Sequence, residues 1–144
     1  MPSPLDFPAR GKILRIEDNL VVFNPAGTTY ELHLVNAGGE MPSPGPATIA
    51  AHVRCIARKV WTMSSGGNFV TPIYGTPRVV QGRVRYLEER LAVVQAGTAV
   101  IVNLPEDPAA FDLVNGPIVP GGMINCTILP GATFELARQA VANS

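Results

Sequence analysis

The stretch GKILRIEDNLVVFNPAGT (residues 11–28) returns, altered but recognisable, as GRVRYLEERLAVVQAGT (82–98). Aligned by eye, Gly11 falls on Gly82, Glu17 on Glu88, Leu20 on Leu91 and Val22 on Val93. After a one-residue gap, Ala26, Gly27 and Thr28 fall on Ala96, Gly97 and Thr98, and Leu34 on Leu104. The register then recovers, and GPATIAAHVRC (45–55) lies over GPIVPGGMINC (116–126), setting Cys55 on Cys126. Ordered matches with one gap and its later compensation point to an internal duplication. A chain of 144 residues built this way must fold as two like units, or as one unit with two like parts.

The alternation of side chains supports the same conclusion. In TTYELHL it sets Thr28, Tyr30, Leu32 and Leu34 on one face, with Thr29, Glu31 and His33 on the other. In TAVIVNL the same phase puts Thr98, Val100, Val102 and Leu104 inward and Ile101 outward. Val53, Cys55 and Ala57 share a phase with Ile124, Cys126 and Ile128, so both cysteines read as small buried residues at equivalent core positions. Two cysteines so far apart make neither a disulfide framework nor a compact metal knuckle.

Gly and Pro number 14 each, and Val and Ile cluster between them, which is the punctuation of short strands and tight turns. The expected class is all-β, with antiparallel strands near residues 10–17, 20–24, 28–35 and 47–62, then 79–88, 91–95, 98–104 and 122–129. A half of this size is marginal alone, so the two bury their inner faces together, as a small double barrel or one shared barrel. Two segments break the symmetry. In EDPAAFDLVNGP, Asp107 suits an N-cap, Pro108 the first helical position and Gly116 the far end, which predicts a short helix near 107–114. The first half carries an extra hairpin over 58–78, with Pro72 marking an edge strand. The expected organisation is a Pro-rich arm (1–9), a first β repeat with the hairpin (10–78), a second β repeat (79–136) and a tail (137–144), with a short closing helix in FELARQAVANS.

The order strand, strand, strand, helix, strand resembles the OB-fold, the small barrel that binds oligonucleotides and oligosaccharides. The resemblance is topological. It covers about 82–136 well and 11–75 without the helix. RCIAR (54–58) has the paired-arginine spacing of PilZ domains, but the D/N-x-S-x-x-G motif that should follow is absent, so that resemblance is rejected.

The enzymatic inventory is thin. His33 and His52 lie on separate strands without an acidic or cysteine neighbour at ligand spacing, and read as solvated surface residues. No nucleophile elbow, P-loop or zinc-binding HExxH is present. The acidic pairs Glu17–Asp18, Glu88–Glu89 and Glu106–Asp107 sit in turns as solubilising caps. No cofactor and no metal are expected. No apolar run approaches the ~20 residues that cross a bilayer, and the N-terminal stretch lacks a signal-peptide pattern, so the expected location is cytoplasmic, off the membrane.

Formal net charge is zero, yet residues 52–90 hold seven Arg and Lys against two Glu. Alternation puts His52, Arg54 and Arg58 on one side of their strand and Arg83 with Arg85 on one side of theirs. The candidate site is Arg54, Arg58, Lys59, Trp61, Phe69, Tyr74, Arg78, Arg83 and Arg85, with Tyr86 nearby. Cations beside aromatic faces suit single-stranded nucleic acid or another anionic polymer, through phosphate neutralisation and base stacking. The leading expectation is therefore a non-enzymatic binding module. The alternative is an assembly protein that homo-oligomerises through the 58–78 hairpin, and an enzyme with an unrecognised site is the third.

Overall fold

A computed structural model describes residues 3–39 and 41–137 of the chain, and the fold is all-β. Twelve strands run in the order β1 (Ala9–Glu17), β2 (Leu20–Pro25), β3 (Glu31–Asn36), β4 (Ile49–Met63), β5 (Phe69–Thr71), β6 (Tyr74–Gly75), β7 (Val79–Leu87), β8 (Leu91–Gln95), β9 (Ala99–Asn103), β10 (Phe111–Asp112), β11 (Met123–Ile128) and β12 (Thr133–Leu136).

The sequence explains the first hairpin locally. Asp18 and Asn19 both adopt positive φ (50° and 68°), which the two-residue connection from Glu17 to Leu20 requires. Strands β1 and β2 slip register between Ile13 and Arg15, and β7 and β8 slip between Val84 and Tyr86, at the same offset that separates Gly11 from Gly82. The bulge residues in between, Leu14 and Arg85, bend the two hairpins alike.

Hydrogen-bonded pairing closes two five-strand circuits. The first runs β1–β2–β3–β12–β4 and returns to β1. The second runs β7–β8–β9–β4–β11 and returns to β7. Both need β4: residues 49–52 serve the first circuit, residues 55–63 the second, and Val53 and Arg54 pair in both. Strand exchange links the halves, because β12 from the end of the chain completes the first circuit and the far part of β4 completes the second. The main interior cluster holds Phe23, Leu32, Leu34 and Phe134 with Val80, Val94, Val102 and Ile124. Phe23 and Phe134 meet at 5.5 Å between ring centroids, tilted by 57°. The inward phases expected for Leu32, Leu34, Val100 and Val102, and for both cysteines, are all buried.

Several expectations are corrected. Residues 107–114 form no helix: Asp107 does cap a single 3₁₀ turn (Pro108–Ala110), accepting from the Ala109 N–H, but Phe111 and Asp112 then extend and pair with Val60 and Trp61. Sheet pairing outweighs the capping signal once Phe111 reaches the core. The 58–78 segment is not a hairpin. Its strands never pair with each other; β5 pairs with β7 and β6 with β3, because Val70 is buried and draws the chain back onto the body. Pro72 follows β5 rather than interrupting it. Residues 133–136 are strand, not helix, and the rest of the expected C-terminal helix (138–144) lies outside the described residues.

The two cysteines are buried but not equivalent. Gly11 pairs with Ile49 and Gly82 with Ile124, so Cys126, opposite Val80, stands where Ala51 stands opposite Ala9. Cys55 pairs instead with Val102. The connections before the two strands differ in length, and a shift by an even number of residues preserves the inward phase, so phase alone did not reveal it. Ile101 is not outward to solvent: with Val93 and Ala99 it is covered by Phe7, Tyr86 and Leu91. Residues 3–7 of the N-terminal arm are accordingly docked. Ser3 and Asp6 cap each other reciprocally, Pro4 is buried, and Phe7 lies 5.7 Å from Tyr86. His52, expected at the surface, is 7% exposed, its Nε2 3.1 Å from the Leu5 carbonyl oxygen.

Candidate anion-binding groove

β4 owes its cationic stretch to a bulge. Thr127 of β11 pairs with Lys59, while the next residue, Ile128, pairs with Ala57. Arg58 is the extra residue, so the inward phase of Val53, Cys55 and Ala57 passes to Val60 and Thr62, and Arg58 and Lys59 both face solvent. Arg78 approaches from the other side of β11, where its carbonyl accepts from the Ile128 N–H at 2.9 Å. Arg58 and Arg78 therefore flank the end of β11. With Thr76, Thr127 and Pro130 they line an open cavity of about 570 Å³.

At Pro130 this cavity adjoins a second, of about 210 Å³, lined by Arg54, Ile56, Asn103, Leu129 and Thr133. Arg54, Ile56 and Arg58 share the outward phase of β4. Leu129 donates its N–H to the Ile56 carbonyl at 2.8 Å, which keeps the two aliphatic side chains together. Both are partly in water, Ile56 at 55% and Leu129 at 39%. Arg54 also lines a third concavity, with Arg10, His52 and Glu135, and Arg10 lines a fourth with Arg85 and Asp6. Each hollow shares a lining residue with the next, Pro130, Arg54 and Arg10 in turn, so five arginines line the four. Among the described residues, none of Arg54, Arg58 and Arg78 pairs with a carboxylate; the ion pairs run from Arg15 to Glu17 and Glu31 and from Arg90 to Glu106.

The expected site is therefore only partly assembled. Arg58 and Arg78 line one cavity, and Arg54 lines its neighbour across Pro130. Lys59 turns away, its ammonium 5.0 Å from the Trp61 ring centroid. Trp61 and Phe69 lie at the two ends of a row across four strands, Trp61–Asn125–Gln81–Phe69. Between them, Asn125 donates to the Gln81 side chain at 2.8 Å and Gln81 donates to the Gly67 carbonyl at 2.8 Å, which ties down the loop of residues 64–68 between β4 and β5. Tyr74 is exposed beside Glu31 of β3. Arg83 donates to the Gly121 carbonyl, and Arg85 donates to Gln95 while resting on Phe7. Aromatic rings do not interleave with the three grouped arginines. Arg10, Ile56, Asn103 and Leu129 were missed. The spacing Arg54–Ile56–Arg58 did carry a signal, an apolar residue at an outward position between two cations; Asn103 carried none.

Among the described residues no three His, Cys, Asp or Glu side chains gather as metal ligands, and no helix is long and apolar enough to cross a membrane. Comparison with protein-family models, with curated proteins and with solved structures found no match to this chain.

Proposed function

We propose that the chain is a non-enzymatic binding module that grips single-stranded nucleic acid, or an anionic polymer of like charge spacing, along the groove of Arg54, Arg58 and Arg78. The observation that carries the reading is the trio itself: Arg58 and Arg78 line one hollow and Arg54 lines a second that shares Pro130 with it, and none of the three has a carboxylate partner among the described residues. A guanidinium offers a fork of donors that matches phosphate geometry, and it is always charged. The hollows continue past Arg54 toward Arg10 and Arg85, which favours a polymer over a single phosphate. The resemblance to the OB-fold belongs to this reading. So does descent by internal duplication, which the matched bulges and glycines support, and so does a place in the cytoplasm.

The test is fluorescence anisotropy with labelled oligonucleotides of about a dozen residues, the length scale that single OB-type sites cover. Neutralising three phosphates gives a slope of log K against log salt of about −2, at roughly −0.7 per phosphate for single strands. Absence of binding at low salt ends the reading.

Self-assembly is the second reading, and one observation favours it. Leu113, Val114 and Val119 are aliphatic and lie 45%, 80% and 45% exposed in the connection between β10 and β11. Light scattering decides it: a monomer at high concentration removes it.

A further inference from the structure

The smaller hollow beside the arginine groove has a different chemistry from the rest of the line. Its walls include Ile56 and Leu129, two aliphatic side chains held together by the Leu129 N–H to Ile56 carbonyl bond. At its rim stands Asn103, the last residue of β9, positioned by parallel pairing with Ile56. The Asn103 amide has no hydrogen-bond partner among the described residues, although Asn24, Asn115 and Asn125 all donate through their side-chain amides to groups of the fold. The volume, about 210 Å³, lies below the roughly 300–1,000 Å³ of pockets that take drug-sized ligands, and suits one flat ring system. The hollow meets the Arg58–Arg78 cavity at Pro130, so a ring placed in the one has its charged neighbour in the other.

We propose that this hollow takes one nucleobase of the bound strand, packed against Ile56 and Leu129 and read at its edge by Asn103, with adenine preferred. This deepens the groove reading and rests on it. A carboxamide presents one acceptor and one donor side by side, the complement of adenine N6–H and N7. Apolar walls supply contact to any base and carry no sequence information, so discrimination falls to the amide. Arg54, which also lines the neighbouring hollow, remains with the phosphates.

Labelled oligo-dA, oligo-dT and oligo-dC of equal length are titrated at one salt concentration into the wild-type chain and into Asn103→Leu. The wild type binds oligo-dA about tenfold tighter than oligo-dT, within the range of one good bidentate contact. Asn103→Leu removes the preference, so that its oligo-dA and oligo-dT affinities converge, while the salt slope, set by the arginines, is unchanged. Asn103 is exposed, so the variant folds; Asn103→Ala replaces it should circular dichroism show otherwise. Equal affinities for the three oligomers, or a preference that survives in Asn103→Leu, overturn the base pocket while the groove stands. Failure of all three to bind the wild type overturns the groove and the pocket with it.

Discussion

Gly82 runs so close beneath Gln95 that a β-carbon on the glycine would overlap the Gln95 carbonyl oxygen. Gly11 stands in the same relation to Asn24, and the added β-carbon would also lie only 2.8 Å from the Pro25 Cα in the one case and 3.2 Å from the Ala96 Cα in the other. These close approaches set where each first hairpin folds onto itself. They also fix which residue of β4 or β11 lies opposite on the other side, Ile49 in one case and Ile124 in the other.

Gly82→Ala is accordingly expected to destabilise the chain by about 1–3 kcal/mol, the usual cost of forcing extra atoms into a packed region, because the obstacle is backbone and cannot rotate away. Gly45→Ala, where a β-carbon meets nothing within 4 Å, is the control and stays within about 0.5 kcal/mol. Urea denaturation of both variants measures the difference. Equal midpoints would mean that the hairpin shifts freely to admit the methyl group.

The exchange of β12 and β4 between circuits predicts that neither half folds alone. A fragment of residues 79–137 has β9 and β11 each lacking the β4 partner they share, leaving two unpaired edges and an open core. It is expected to show no cooperative unfolding transition. Residues 1–78 lose β12, and with it Phe134, from the first circuit. Mixing the fragments should restore a cooperative transition, and a sharp transition in either fragment alone would contradict the shared-strand architecture.

Legibility in the sequence tracked physical range. Period-two burial is a local property, so Val53, Val100, Ile124 and their neighbours were placed inward from sequence. The Asp18–Asn19 turn was legible for the same reason. Which strand lies beside which is non-local, and no residue of β12 announces that it pairs with both β3 and β4. The helix expected at 107–114 shows the limit from the other side: Asp107 caps as its chemistry dictates, but burial and pairing of Phe111 turn the chain into strand after a single turn. The site divides likewise. Arg54 and Arg58 were grouped by alternation along one strand. Arg78 joins them only because β11 lies between β4 and β7, and Trp61, close in sequence, turns to Lys59 beyond the bulge.

That division predicts an ordered set of binding defects. Arg58→Ala and Arg78→Ala are each expected to lower oligonucleotide affinity severalfold and to flatten the salt slope by about 0.7, the contribution of one neutralised phosphate. Both side chains are exposed, so unfolding midpoints stay within about 0.5 kcal/mol of wild type. Trp61→Ala, outside the groove, is expected to weaken binding less than either and to leave the slope unchanged. A larger loss for Trp61→Ala than for Arg58→Ala would move the binding surface to the Trp61–Phe69 row.

The thiols give a prediction that depends on the core alone. Burial pushes the Cys126 thiol up to about 12, and burial, with the neighbouring Cys126 adding to it, pushes Cys55 higher still. In the unfolded chain both ionise near the ordinary value of roughly 8.5. A group whose pKa is raised on folding contributes its full stability below the unfolded value. That contribution declines as pH rises toward the folded value, since only the unfolded state releases the proton. Between about pH 9 and 11 the two thiols together are therefore expected to remove roughly 2–3 kcal/mol per pH unit from stability. Cys55→Ala/Cys126→Ala should start less stable and lose stability less steeply over that interval. Native protein should react with a thiol reagent at pH 8 only as fast as it unfolds. Rapid labelling of either cysteine in the folded chain, or parallel stability curves for wild type and the double variant, would show that the thiols are not sealed in the shared core.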